Sequence, residues 1–104
     1  MEEEYEEIIK NIASYCARHL GATYEVGFSD GDSYLCKFAN SEYEDNDEEL
    51  DSPAYEEWYV VDFKIVDILK DGPNRDPRFE YITISRKRMP SFVTREGEVV
   101  YQAE

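Results

Sequence analysis

Cys16 and His19 are the side chains of this chain best suited to act together. Three residues apart on a helix, they stand about one turn from each other, the spacing of a thiolate–imidazole pair. Cys16 also belongs to an apolar stripe, which expects it buried and inert, and nothing in the sequence orients the single histidine. A second constellation is acidic. Asp45, Asp47, Glu49, Asp51 and Glu56 fall at positions 1, 3, 5, 7 and 12 of a calcium-loop spacing. Leu50, however, stands where glycine would make the sharp turn, and Pro53 lies inside the loop. Asp30 and Asp32 around Gly31 fit turn chemistry better than ligation. There is no Gly-rich phosphate loop, no nucleophile elbow and no cysteine cluster. The expectation is a non-enzymatic chain with no cofactor and no metal.

The charge distribution is more telling. Of the net −14, all resides in residues 1–58, with 17 acidic and 3 basic side chains; residues 59–104 carry 8 of each. A one-signed surface steers oppositely charged molecules, so a basic partner is expected. Glu2, Glu3, Glu4, Glu6 and Glu7 would lie along about 9 Å of helix, a charge density close to that of duplex DNA. A second acidic set, Glu42, Glu44, Asp45, Asp47, Glu48, Glu49 and Asp51, would spread over roughly 33 Å if extended. Tyr43 and Tyr55 would add aromatic contact area to this surface. Arg86-Lys87-Arg88 is the one basic cluster, with Tyr81 and Phe92 available for stacking, but the overall charge argues against direct nucleic-acid binding. The cluster is expected instead to neutralise the acidic loop of the same chain or of a symmetry mate.

These residues need elements to position them. Tyr5, Ile8, Ile9, Ile12, Cys16 and Leu20 recur at helical steps, glutamates crowd the start, and Gly21 follows as a left-handed cap, so residues 3–20 are expected as a helix. Tyr24, Val26 and Phe28, then Tyr34, Cys36 and Phe38, alternate as strands about Ser29–Ser33. A three-residue loop with Ser29 opposite Ser33 would pair Val26 with Cys36 and Tyr24 with Phe38 on one face. Residues 41–52 are expected as a solvated break, followed by one helical turn from the Ser52-Pro53 cap through Glu57. Residues 58–69 fit a strand better than a helix, Asp71-Gly72-Pro73-Asn74 a turn, Pro77 a loop end and Arg78–Arg86 a strand. Ser91–Thr94 and Glu98–Tyr101 would form a last hairpin about Arg95-Glu96-Gly97, with Pro90 at its edge.

The fold expected is therefore α+β: one domain over residues 1–104, an N-terminal helix packed on one face of an antiparallel sheet of five to six strands. Two cysteines in 104 residues fit a reducing compartment, and an acidic start with no long apolar run fits a cytoplasmic protein off the membrane. In size and charge the chain resembles the small acidic inhibitors that phages and mobile elements direct at restriction or CRISPR nucleases, a resemblance of composition that carries over no residue. It implies a protein-binding inhibitor, a DNA mimic, whose acidic surface occludes a basic, nucleic-acid-binding site. The rival expectation is an assembly or immunity-type module that binds through its sheet and through Trp58, Tyr59 and Tyr101 as exposed aromatics. A homodimer is compatible with either.

Overall fold

A computed structural model describes residues 2–70 and 80–103. The N-terminal helix, α1, runs Glu2–Arg18. Ile9, Ile12, Ala13 and Cys16 are buried along one stripe, as the spacing requires. Gly21, at φ 86°, closes the helix, and the Ala22 N–H donates to the His19 carbonyl at 3.1 Å. Tyr5 and Leu20, assigned to the same stripe, are exposed. Leu20 follows the helix end, where the 3.6-residue period no longer applies, and Tyr5 lies a turn before Ile8 and Ile9, the first helical residues in the core.

Six strands follow: β1 Thr23–Gly27, β2 Ser33–Asp45, β3 Glu57–Lys70, β4 Tyr81–Ser85, β5 Phe92–Arg95 and β6 Glu98–Gln102. They form one sheet in the order β4-β3-β2-β1-β5-β6, every neighbour antiparallel. The helix covers one face, burying Tyr24, Val26, Cys36, Val61, Phe63, Ile84 and Val93 beneath it. The expected α+β architecture thus holds, with the long strand β3 pairing on both sides, to β2 and to β4.

Several local expectations are corrected. The first hairpin pairs Tyr24 with Cys36 and Val26 with Tyr34, two residues off the expected register. The faces are unchanged, because a two-residue slip preserves alternation. Gly31 decides the matter. At φ 103° it takes the left-handed last place of a three-residue Ser29–Gly31 loop, closed by the Phe28 N–H donating to the Asp32 carbonyl at 2.8 Å. Residues 41–45 are not loop but the end of β2, paired through Asp45↔Glu57. The reason lies opposite them: Glu42, Tyr43 and Glu44 face Val60, Tyr59 and Trp58, strong strand formers that draw the acidic segment into the ladder. No helical turn follows Ser52. Two tight turns stand there, with N–H groups of Ser52 and Tyr55 donating to the carbonyls of Glu49 and Ser52.

The second hairpin turns on two residues, Glu96 and Gly97, both at positive φ, so Arg95 belongs to the strand. Pro90 stands just before β5, which is an interior strand; pairing starts with the Ser91 N–H donating to the Gly27 carbonyl at 2.7 Å. Gly27 has a second role on the helix-free face, where the Phe92 ring lies across it in the space a Cβ would need. The expected strand from Arg78 begins at Tyr81, and the 71–74 turn and Pro77 lie outside the described residues.

Candidate functional site

The β2–β3 ladder carries register shifts, and they determine where the acidic side chains point. Ala39 is an extra residue between the Phe38↔Phe63 and Asn40↔Asp62 pairs. It reverses the parity of β2, so Tyr34, Cys36 and Phe38 face the helix before it and Ser41 and Tyr43 after it. Glu42 and Glu44 therefore project from the helix-free face, beside Val60 and Trp58. Beyond Val60, where β4 pairing stops, residues 43–45 and 57–59 continue as a two-stranded arm. Asn46 organises its tip. Its backbone N–H donates to the Glu56 carbonyl at 3.1 Å and its Nδ2 to the Ala54 carbonyl at 2.8 Å, while its Oδ1 accepts from the N–H groups of Glu56 and Glu48. Asp45 Oδ1 accepts from the Asp47 N–H at 2.8 Å, and Asp47 takes a φ of 63°. The acidic stretch is a folded tip and strand end, not the extended 33 Å line.

The start of α1 lies against the root of this arm. Glu6 Oε1 accepts the Tyr59 N–H at 2.7 Å, and Glu6 Oε2 stands 3.6 Å from Arg86 Nε. Arg86, its side chain only 10% exposed, also donates to Glu56 Oε1 at 2.7 Å and to the Glu57 carbonyl at 3.2 Å. Lys87 reaches Glu56 at 3.3 Å and lies 4.4 Å from the Trp58 ring centroid. Lys87 foremost, with Arg86, holds the Glu56 carboxyl below its ordinary range. Lys10 lies 5.7 Å from the Tyr43 ring and is held above its ordinary value by its hydrogen bond to Tyr43. Tyr43 stands edge-on to Tyr59 at 4.9 Å, and Tyr59 donates its hydroxyl to Ser41 Oγ at 2.9 Å. The helix start and the arm thus form one end of the molecule.

The sequence-derived site residues divide accordingly. Glu3, Glu4, Glu7, Glu42, Glu44, Asp47, Glu48, Glu49 and Asp51 are exposed at this end, and Tyr43 is 53% exposed among them. Glu2 begins the helix. Asp45 is exposed with them, although its Oδ1 also accepts the Asp47 N–H. Glu6 and Tyr55 are committed to the fold; the Tyr55 hydroxyl donates to Glu57 Oε2 at 2.9 Å. The exposed charges wrap the end on both faces, where a phosphate backbone would present a line. Arg86 pairs with Glu6 and Glu56 and Lys87 with Glu56, while Arg88 stacks on Phe28 and stands 3.9 Å from the buried Asp32. Sequence reasoning missed Glu56, Arg86 and Asn46 as the residues that build this end. The short polar run Asn46-Asp47 was the available signal for the turn.

The other candidates change as well. Cys16 points into the core, its thiol pushed up to about 11 by burial, with the Tyr24 hydroxyl partly opposing this. Cys36 is pushed up to about 12 for the same reason. His19 turns away from Cys16, stacking on Tyr15 at 4.1 Å and donating from Nδ1 to the Tyr15 carbonyl at 2.8 Å. Trp58, Tyr59 and Tyr101, expected to be exposed, are half-buried, because Lys87, Ser41 and the core respectively engage them. Among the described residues no three His, Cys, Asp or Glu side chains gather as a metal ion would need, and no helix is long and apolar enough to cross a membrane.

Compared with protein-family models, with curated proteins and with solved structures, the chain matches none.

Proposed function

We propose that this chain is a non-enzymatic binding protein whose acidic end occupies a basic cleft of a partner, of the kind that otherwise takes up nucleic acid. One observation carries the reading: two acidic segments far apart in sequence meet at one end through the Tyr59–Glu6–Arg86–Glu56 contacts. Among the described residues eleven exposed carboxylates surround that end, Asp45 and Glu57 included. Because they wrap both faces of a projecting arm, they suit a concave basic site better than a flat one. Such an end accelerates encounter and excludes anionic competitors, with a strong dependence on ionic strength.

The experiment is capture from a bacterial lysate with tagged protein, washed at low and then high salt, with retained proteins identified by mass spectrometry. Proteins with nucleic-acid sites, released by salt, are the expected catch. Exchanging Glu3, Glu7, Glu44 and Glu48 for Lys should weaken binding of the captured partner at least a hundredfold while the variant still melts cooperatively and no lower than the parent at low salt. Retention of affinity in that variant, or a partner indifferent to salt, refutes the reading.

A further inference from the structure

The sheet has two outer edges, β4 and β6, of five residues each. A third and longer edge lies within it. β1 pairs with β2 only through Thr23↔Lys37, whereas β2 pairs with β3 as far as Asp45↔Glu57. From Phe38 to Asp45, then, β2 has a strand neighbour on one side alone among the described residues. An unpaired strand edge is a template for another strand, since its N–H and C=O groups point outward at ladder spacing. On the helix side this edge adjoins a groove of 330 Å³ lined by Lys10, Ala13, Ser14, Ala17, Tyr43 and Tyr59. On the other side stand Glu42 and Glu44.

We infer that residues 40–45 of β2 receive an extended segment of the partner as an added strand, one alternating Lys or Arg with aliphatic side chains. Period-two alternation requires that composition: every second side chain enters the groove between α1 and Tyr43, and the others reach Glu42 and Glu44. Ala13, Ser14 and Ala17 keep the helix wall low enough for aliphatic groups to enter. A second copy of this chain does not fit, because its matching edge carries the same carboxylates and like charges opposed across strands destabilise the pair. The inference rests on the acidic-capture reading and adds the partner's conformation to it.

The test uses a dye-labelled ten-residue peptide of alternating Lys and Val, and the same peptide methylated at every backbone nitrogen. The second keeps side chains and charge but cannot donate ladder hydrogen bonds. At low salt the unmethylated peptide should bind the full chain at least tenfold more tightly, by fluorescence anisotropy, and slow amide hydrogen exchange at residues 40–45. Equal binding of the two peptides, or binding without protection there, overturns strand addition and leaves acidic capture standing. Binding of neither peptide also overturns it, and the charge-exchange variant on the captured partner then judges acidic capture separately. Peptide-free dimerisation protecting the same amides would assign the edge to a second copy and overturn it as well.

Discussion

Glu6 and Glu7 are neighbours of one chemical type with opposite duties. Glu6 turns toward the sheet, accepts the Tyr59 N–H and faces a guanidinium that is nearly buried; Glu7 points to solvent. Removing Glu6 leaves a partly buried donor and a partly buried cation with less compensation, a loss of about 2 kcal/mol. Glu6→Ala should therefore lower the unfolding free energy measured by urea titration by that amount, while Glu7→Ala should stay within about 0.5 kcal/mol of the parent. Equal effects would mean that the clasp between helix and arm contributes nothing to stability. The sequence could not distinguish the two, because both lie in an acidic first turn where the helix dipole favours either. What separates them is the position of Arg86, 80 residues later in the chain. Gly21 and Gly97, by contrast, were legible residue by residue, because each occupies a backbone conformation that glycine adopts without strain.

At the level of elements, periodicity revealed the helix and most strands, since each buries one face and so keeps a period of 3.6 or 2. It failed where a bulge interrupts the count. Ala39 on β2 and Val66 on β3 shift the alternation, and an acidic strand end cannot announce itself by composition when its pairing partner supplies the β-forming residues. The arm's tip shows the same division between local and long-range causes. Asn46 holds both sides of the turn by two side-chain atoms, reaching Ala54, Glu48 and Glu56. Asn46→Ala should cost about 1–2 kcal/mol, from three modest hydrogen bonds on an exposed site. Hydrogen exchange should speed up at the Glu48 and Glu56 amides with no change at Val61 or Phe63. Acceleration spreading into those core residues would show that the tip and the sheet open together.

For the molecule as a whole, −14 charges on 104 residues oppose compaction, and the arrangement concentrates that cost at one end. The exposed carboxylates of the helix start and the arm repel one another in the folded state and separate when the chain unfolds. Salt acts on this repulsion and on the Glu6–Arg86–Glu56–Lys87 contacts in opposite senses. The repelling groups are solvent-exposed and many, hence strongly screened as the Debye length falls from about 30 Å at 0.01 M to about 8 Å at 0.15 M. Arg86 is mostly shielded from solvent and pairs at 2.7 Å with Glu56, so its attraction is screened less. The repulsive term therefore weakens more, and Tm should rise by several degrees between 0.01 and 0.15 M NaCl. Exchanging Glu3, Glu7, Glu44 and Glu48 for Lys changes the net charge by +8, from −14 to −6, and should flatten that rise. The same variant is the one expected to lose its partner, so the two measurements bear on a single property: charge held together by the fold at a cost to stability. A Tm that falls with salt in the parent chain would mean that attraction dominates at this end, and that its carboxylates are chiefly engaged within the fold.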